Sequence, residues 1–286
     1  MANEVAVQQK QGIASFLSSE KVKENVMNVV GEKGAQHFIS SVVSAVQTNP
    51  DLAQCTNSSI LSAALLGHSL NLPPSPQLGF YYFVPYNNTK KITNAQGKTE
   101  EVKVKEATFQ MSYRGYIQLA QRSGQYQKIN ATDIREGELR SYNPITEEIE
   151  FDAVTDFKER EKLPIIGYYA YFVLNNGFKK EIYWSKEQMD AHAKKYSMSY
   201  RKGWSSSFWS SNFDDMAKKT LLRQLISKWG MMSLSMENAY QGDMAVLDEN
   251  GNPDYVDNVP DGAEPAVDVY ADVVEADQVA IEDIEE

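Results

Sequence analysis

The segment LNLPPSPQLG, from Leu70 to Gly79, divides the 286-residue chain into two parts with different hydrophobic periodicity. Its three prolines predict the end of a helix, because proline lacks a backbone donor and clashes with the preceding turn. Ahead of it, apolar residues recur at the spacing of one helix face. They form three stretches: Val22, Val26, Val29 and Val30; Phe38, Ile39, Val42, Val43 and Val46; and Ile60, Leu61, Ala64, Leu65 and Leu70. We predict N-terminal helices, the third capped by Thr56, Asn57 or Ser58.

Beyond Gly79 the sequence changes to short runs rich in aromatic and β-branched residues, which are typical of strands. The runs read GFYYFVPY, EVKVKEATFQ, QKINATDI, EEIEFD, IIGYYAYFVLNNG and FKKEIYW. We predict a largely antiparallel sheet whose hairpins turn at NAQGK and NNG. Helical patterns return in YRGYIQLAQRSG and SKEQMDAHAKKYS, so helices and strands are grouped and do not strictly alternate. This grouping favours an α+β fold, an antiparallel sheet with hairpins packed against helices, over a doubly wound sheet.

The second strand contains an alternation of valine and lysine from Val102 to Lys105. Alternation puts Lys103 and Lys105 on one face and both valines on the other. We predict that the valines face the core and that the lysines form a basic surface.

The formal net charge of -11 is unevenly distributed along the chain. From Asp243 to Glu286 there are 15 acidic residues and no Lys or Arg, which leaves 24 acidic and 28 basic residues in Met1 to Gly242. The body of the protein is therefore mildly basic. The acidic segment also has scattered Pro and Gly and no lasting periodicity, so we predict that it is a disordered tail.

Several classes of function are disfavoured by the sequence. The longest apolar run, from Ile165 to Leu174, is too short to span a bilayer, so we predict a cytoplasmic protein without membrane contact. The single cysteine, Cys55, excludes an internal disulfide. Gly97-Lys98-Thr99 resembles the end of a phosphate-binding loop, but Ile92 stands where that motif requires glycine. The three histidines lie far apart, so we predict neither a metal site nor a cofactor.

The stretch FDDMAKKTLLRQLISKW, residues 213–229, predicts a helix that begins near two adjacent carboxylates. Asp214 and Asp215 have two interpretations. They cap the first amides and oppose the helix dipole, which we favour, or they are the paired carboxylates of a metal-dependent nuclease.

The same helix carries three cations whose directions differ. At about 100° per residue, Lys219 and Arg223 fall on the polar side, where we expect them to face outward to phosphates. Lys218 points into the apolar stripe beside Leu222 and Leu225. Its ammonium either extends past the core to water or borders a groove and meets an anion.

The segment before this helix reads KKYSMSYRKGWSSSFWSSNF, residues 194–213. It mixes cations with aromatic rings and serine hydroxyls, which is the composition that single-stranded nucleic acid binding requires, although a solvated charged loop would look the same. The cations are Lys194, Lys195, Arg201 and Lys202, and the rings include Trp204, for which a core position is the alternative.

Three quoted stretches resemble one known family. MSYRGYIQLAQRSGQYQKINATDIREGE and NFDDMAKKTLLRQLISKWGMMS resemble the RecT family of phage single-strand annealing recombinases, and ALLGHSLNLPPSPQLGFYYFVPYNN resembles the segment that this family carries ahead of its first hairpin. The resemblance runs in order from about Ser59 to Asp243. It divides the chain into an N-terminal helical region (1–58), an annealing core (59–242) and the acidic tail (243–286).

The resemblance implies ATP-independent binding of single-stranded DNA and annealing of complementary strands by an oligomeric ring or filament in phage-type recombination. It also implies a fold similar to that of single-strand annealing proteins, with a basic groove, and partners that include the annealed duplex, an exonuclease and a host single-strand binding protein. The missing phosphate loop agrees with independence from ATP. The alternatives are a nuclease that uses Asp214 and Asp215, and a passive single-strand coating protein.

For the groove we predict thirteen residues in four segments. Arg114 has a surface ion pair as its alternative role. The residues are Lys103, Lys105, Gln110, Tyr113, Arg114, Lys194, Lys195, Arg201, Lys202, Trp204, Lys218, Lys219 and Arg223. The acidic tail is predicted to compete for this groove or to bind recombination partners, and the alternative is a tail that only aids solubility.

Overall fold

The computed structural model describes residues 12–93, 99–205, 207–247 and 252–255. Before Leu70 the chain is helical, as the periodicity predicts, and α4 begins directly after Thr56 and ends ahead of the proline segment. The elements are α1 (Ile13–Leu17), α2 (Glu20–Val30), α3 (Glu32–Gln47), a 3-10 helix (Pro50–Gln54) and α4 (Asn57–Ser69). No helix in these ranges is long and apolar enough to cross a membrane.

The strands are antiparallel and form three sheets. The first sheet has the order β1-β2-β8-β9, with β1 (Tyr81–Thr93), β2 (Thr99–Met111), β8 (Ala245–Leu247) and β9 (Pro253–Tyr255). The second has the order β3-β6-β7, with β3 (Tyr126–Arg135), β6 (Ile165–Leu174) and β7 (Lys179–Ser185). The third is the hairpin β4 (Leu139–Tyr142) and β5 (Ile149–Phe151).

The predicted α+β class is confirmed, with the strands divided among three sheets because a helix interrupts them. Helix α5 (Tyr113–Arg122) begins one residue after β2 ends, so the chain leaves the first sheet before β3 starts. The predicted turn at NNG joins β6 to β7, with Gly177 at a φ of 88°. The predicted turn at NAQGK lies outside the described residues.

Helix α10 (Phe213–Trp229) packs on the second sheet and contacts all three of its strands. Its apolar stripe is fully buried at Leu221, Leu222 and Leu225. The opposite face of this sheet holds a smaller cluster around Tyr169 and Tyr183, covered by the β4–β5 hairpin. The remaining helices are α6 (Phe157–Lys162), α7 (Lys186–Tyr196), α8 (Met198–Arg201), α9 (Phe208–Ser211) and α11 (Leu234–Gly242).

The prediction for the two faces of β2 is wrong. Lys103 and Lys105 alternate with the valines, but farther along β2 both faces are covered: Ala107 and Phe109 on the lysine face are buried, and so are Glu106 and Thr108 on the valine face. Val102 on the other face is 40% exposed. Lys105 reaches the 3-10 helix, where its Nζ lies 3.3 Å from Asp51 Oδ1, while Lys103 is exposed.

The first residues of the predicted tail belong to the folded body. Asp243 is 1% exposed and follows α11 directly, and Ala245 in β8 pairs with Phe109 in β2. The expectation of disorder therefore does not hold for residues 243–247. These residues are ordered by burial and strand pairing, which the acidic composition of the whole segment conceals. Residues 248–251 and 256–286 lie outside the described residues.

Candidate nucleic-acid interface

A cavity of about 290 Å³ lies where the three family-like stretches of the sequence meet. One wall comes from the start of β1, a second from the junction of β2 and α5, and a third from α9 and the first two turns of α10. The lining residues are Gly79, Tyr82, Gln110, Met111, Ser112, Tyr113, Arg114, Phe208, Asn212, Asp215, Met216 and Lys219. Of the predicted groove residues, the cavity thus brings together Gln110, Tyr113, Arg114 and Lys219.

The wall at the start of α5 is held rigidly against β1. Ser112 is the N-cap of α5, accepting a hydrogen bond from Gly115 N at 3.2 Å and donating one to the carbonyl of Gly79. A Cβ on Gly115 would lie 2.2 Å from the carbonyl oxygen of Phe80, so only glycine permits this approach. Gly79 has a φ of 63°, which also favours glycine. The side chains that follow Ser112 therefore have fixed starting positions.

Tyr113 is flanked by two cations at the cavity. The Arg114 guanidinium lies 5.7 Å and the Lys218 ammonium 5.5 Å from the centre of its ring. Arg114 Nε also donates a hydrogen bond to Tyr113 Oη at 3.3 Å, which raises the pKa of the exposed Arg114. Both distances are within the range of cation–π attraction. Arg114 thus holds its charge at the surface beside an aromatic face.

For Lys218 the sequence left two alternatives: an ammonium that extends past the core to water, or one that borders a groove and meets an anion. The structure places it between the two. Its side chain is 17% exposed, and its Nζ lies 3.9 Å from both Asp133 Oδ1 and Asp215 Oδ1. It is therefore neither buried in the core nor extended freely into water. Separations of 3.9 Å are too long for strong hydrogen bonds, so these carboxylates balance its charge loosely.

The expectation that Lys219 and Arg223 face outward to phosphates is wrong. Lys219 is 3% exposed, and its Nζ lies 2.8 Å from Asp243 Oδ1, while the Arg223 guanidinium pairs with the other oxygen. Met111 N and Tyr116 Oη also donate to Asp243, at 2.9 and 3.0 Å. Burial alone would raise the pKa of Asp243, but Lys219 and Arg223 hold it below its ordinary value. The prediction from the helical period of α10 was wrong for both cations, because that period does not reveal their partner Asp243, which follows α11.

Asp214 and Asp215 lie in the first turn of α10, where they oppose the helix dipole as predicted. The N-cap is Asn212, however, and no side-chain cap hydrogen bond is formed there. Asp214 Oδ1 instead accepts a hydrogen bond from Tyr168 Oη at 2.5 Å. Burial, and then this hydrogen bond, raise the pKa of Tyr168. Within the described ranges, no group of three or more His, Cys, Asp or Glu residues could hold a metal ion.

The other predicted cations lie in α7, α8 and the loop that leads to α9. All are exposed, and Lys194 pairs with Asp190 at 2.6 Å on its own helix. Lys195 lies 5.1 Å from the ring of Tyr196, and Lys202 lies 5.7 Å from the ring of Trp204. Trp204 is 46% exposed, which excludes the core alternative. The loop continues to Phe208 at the cavity, so this basic segment, with Arg201, adjoins the cavity wall in sequence.

Sequence reasoning missed several cavity residues. Tyr82 is 40% exposed and lies opposite Gln110 across the β1–β2 pair, so both reach the cavity from one sheet face. Alternation in GFYYFVPY sends neighbouring tyrosines to opposite faces, which could have separated buried Tyr81 from exposed Tyr82. Phe208 and Asn212 gave no comparable signal, because their place depends on the short α9.

The RecT family model matches residues 36–257, more than half of the chain, and the match includes every wall of the cavity. The chain belongs to the RecT family. It is 39% identical over 233 residues to the uncharacterized protein YqaK of Bacillus subtilis (strain 168), covering 81% of this chain and 72% of YqaK. It is 26% identical over 238 residues to Protein RecT of Escherichia coli (strain K12), covering 81% of this chain and 80% of that protein.

Membership in the RecT family places this chain among recombination and DNA-annealing proteins. The family match also extends through β8 and β9, the two strands that composition assigned to the tail. The body of this RecT-family protein therefore includes the segment that contributes Asp243.

Proposed function

We propose that this RecT-family protein binds single-stranded DNA and anneals complementary strands without ATP. The observation that carries the proposal is the convergence of the three family-like stretches on one cavity, within the range that the family model matches. Exposed Arg114 at this cavity, and the exposed cations of α7 and α8, supply charge for phosphates.

Annealing restricts how the first strand is held. The Watson–Crick edges must stay accessible to the second strand, so most of the grip is on phosphates, which carry no sequence information. Arg114, Lys218 and the cations Lys194, Lys195, Arg201 and Lys202 are the groups we assign to this grip. Lys219 and Arg223 are not assigned to it, because Asp243 already neutralises them. Lys105 is also left out, because it contacts Asp51 and Gln54 of the 3-10 helix. Exposed Lys103 is left out because it lies on the face of β2 opposite to the one that carries Gln110 at the cavity.

A protomer with only a few phosphate contacts binds weakly at physiological salt, because each contact releases counterions and is opposed by added salt. Assembly as a ring or filament on one strand would raise the effective concentration of each neighbouring site. We therefore propose a cytoplasmic homo-oligomer whose partners are single-stranded DNA, the annealed duplex, an exonuclease and a host single-strand binding protein.

The test is to mix complementary labelled oligonucleotides with the protein, without nucleotide and with or without magnesium. Faster duplex formation without ATP is the result that we expect. Binding that slows pairing would instead identify a passive coating protein, and magnesium-dependent cleavage would identify a nuclease.

An Asp214→Asn variant distinguishes the proposed annealing function from the nuclease alternative. Asp214 accepts the Tyr168 hydroxyl, and the amide oxygen of Asn can still accept it, but without the charge. We therefore expect Asp214→Asn to lower the free energy of unfolding by about 1 kcal/mol. We expect annealing to be unchanged where the variant is folded, and no cleavage by either protein. Chemical denaturation gives the first quantity, and Tyr168→Phe is the control that removes this hydrogen bond altogether. Magnesium-dependent cleavage that Asp214→Asn abolishes would reverse this assignment.

We propose that the acidic segment beyond Tyr255 competes with DNA for the basic surface. Residues 256–286 contain 11 acidic residues and no Lys or Arg. Deleting them should tighten single-strand binding several-fold at low salt, and the effect should fade as salt screens the charges. Fluorescence anisotropy with a labelled oligonucleotide measures both affinities.

The control for this deletion keeps the segment but replaces its acidic residues with Asn and Gln. It should tighten binding as the deletion does, because charge and not length produces the competition. Unchanged affinity in both variants would leave a segment that only aids solubility, and lost binding of a recombination partner would indicate a docking role.

A further inference from the structure

The cavity has the wrong charge balance for a phosphate group. Lys219 at its wall is already neutralised by buried Asp243, and Asp215 adds an exposed carboxylate. Arg114 is exposed beside Tyr113. A phosphate can therefore contact exposed Arg114 from outside. Inside the cavity, Lys219 is paired with Asp243 and Asp215 lies 3.9 Å from Lys218, so these charges are already balanced and offer a phosphate little attraction.

The remaining lining chemistry suits a flat, neutral group with polar edges. Tyr82, Tyr113 and Phe208 provide aromatic rings on three different elements. Gln110 and Asn212 provide side-chain amides. Gln110 makes only a 3.4 Å hydrogen bond to Thr108, and Asn212 donates to Ser211 at 2.9 Å without capping α10. Such amides can exchange these contacts for the donors and acceptors on the edge of a base.

The volume limits how much of a strand can enter. At about 290 Å³, the cavity is at the lower end of the roughly 300–1,000 Å³ typical of small-molecule sites. It therefore suits a single ring system better than a stack of bases. The rigid wall formed by Ser112, Gly115 and Gly79 also keeps the cavity open in the absence of DNA, so little ordering is required on binding.

We propose that this cavity receives one unstacked nucleobase of the bound single strand while Arg114 holds an adjacent phosphate. The proposal rests on the proposed function, since it names the group of single-stranded DNA that this same site takes. One base per protomer is held, and the neighbouring bases stay outside with their pairing edges accessible. Stacking against an aromatic ring tolerates any base, so the contact adds affinity without strong sequence preference.

The test compares two probes of equal length and charge: an ordinary single-stranded oligonucleotide and a fully abasic one. Loss of one base contact typically costs about tenfold in affinity. We expect Tyr82→Ala to lower affinity for the ordinary oligonucleotide about tenfold and to leave affinity for the abasic one unchanged. Tyr82→Phe should restore the preference, because it keeps the ring. Phe157→Ala, an exposed aromatic on α6, is the matched control and should change neither affinity.

Equal weakening of both probes by Tyr82→Ala, or no weakening of either, would overturn the assignment of a base to the cavity. Equal affinity of the unaltered protein for both probes would overturn it while leaving strand binding intact. No binding of either probe would contradict the proposed function as well.

A second measurement does not depend on a variant that folds. Oligonucleotides that carry 5-bromodeoxyuridine are irradiated on the unaltered full-length protein, and the crosslinked peptides are identified by mass spectrometry. We expect crosslinks at Tyr82, Tyr113 or Phe208. Crosslinks confined to residues outside the cavity would overturn the proposal.

Discussion

Replacing Asp243 with alanine is expected to lower the free energy of unfolding by about 3–5 kcal/mol. Asp243 is buried, and its carboxylate is the partner of both Lys219 and Arg223 on α10. Its removal leaves buried Lys219 and half-buried Arg223 without their counter-charge and leaves Met111 N without this acceptor. Breaking a buried ion pair on one side costs far more than the pair contributes over an apolar replacement. Urea denaturation followed by circular dichroism measures the loss.

Asp254→Ala is the matched control for this prediction. Asp254 is exposed and hydrogen-bonded to Asn88 at 3.1 Å, so its loss should stay within about 0.5 kcal/mol. Two truncations make the same distinction. Deletion from Asp243 should destabilise the protein at least as much as Asp243→Ala, whereas deletion from Val256 should not. Similar stability of both truncations would show that Asp243 does not hold α10 to the body.

The ion pairs of Asp243 with Lys219 and Arg223 predict that the free energy of unfolding depends on pH. Lys219 and Arg223 hold the folded-state pKa of Asp243 below the value of about 3.9 that an aspartate has in an unfolded chain. The stabilisation is therefore fully present above that unfolded value and is lost as the pH falls through the folded-state pKa. We expect the stability difference between the unaltered protein and Asp243→Asn to shrink as the pH falls below about 4.

The largest expected effect on DNA binding comes from removing the four cations of α7, α8 and the following loop. The variant carries Lys194→Gln, Lys195→Gln, Arg201→Gln and Lys202→Gln, all at exposed positions. Each phosphate contact on a single strand contributes about 0.7 to the slope of log affinity against log salt. If all four bind phosphates, the magnitude of the slope falls by about 2.8, and affinity at low salt falls by more than tenfold. Anisotropy titrations across a salt series measure both.

The control removes four exposed lysines elsewhere, with Lys21, Lys23, Lys33 and Lys128 each changed to Gln. Both variants change the net charge equally, so a general electrostatic effect would appear in both. A specific interface predicts a lower slope only in the first variant. An unchanged slope in the first variant, or equal losses in both, would place the DNA elsewhere on the protein.

Periodicity predicted most of the helices and strands because each depends on neighbours within a few residues. The proline segment and the apolar spacing placed the end of α4 and the change to strands correctly. The faces of β2 were predicted wrongly, because a four-residue alternation does not say which face is covered. That depends on the elements packed around β2, which cover both faces from Glu106 to Phe109 and leave Val102 exposed.

The lining of the candidate site was predictable only in part, for a similar reason. Gln110, Tyr113 and Arg114 were predicted together because they stand at the start of one family-like stretch, and all three line the cavity with Tyr82 and Asn212. Lys219 and Arg223 were misassigned because their partner Asp243 is 20 or more positions away in sequence. Net charge by segment placed Asp243 in the tail, although a buried carboxylate between two cations belongs to the core. Long-range ion pairs of this kind leave no periodic signal.

The most direct test of the central claim is the rate at which complementary labelled oligonucleotides pair without nucleotide, in the presence of the unaltered protein and of Arg114→Gln. Arg114 is exposed at the cavity, so the variant should fold normally. We predict that the unaltered protein accelerates pairing without ATP and that Arg114→Gln accelerates it less, with the deficit shrinking as salt is raised because the variant has lost a salt-sensitive phosphate contact. Pairing that the unaltered protein does not accelerate, or accelerates no more than the variant does, would contradict annealing at this cavity.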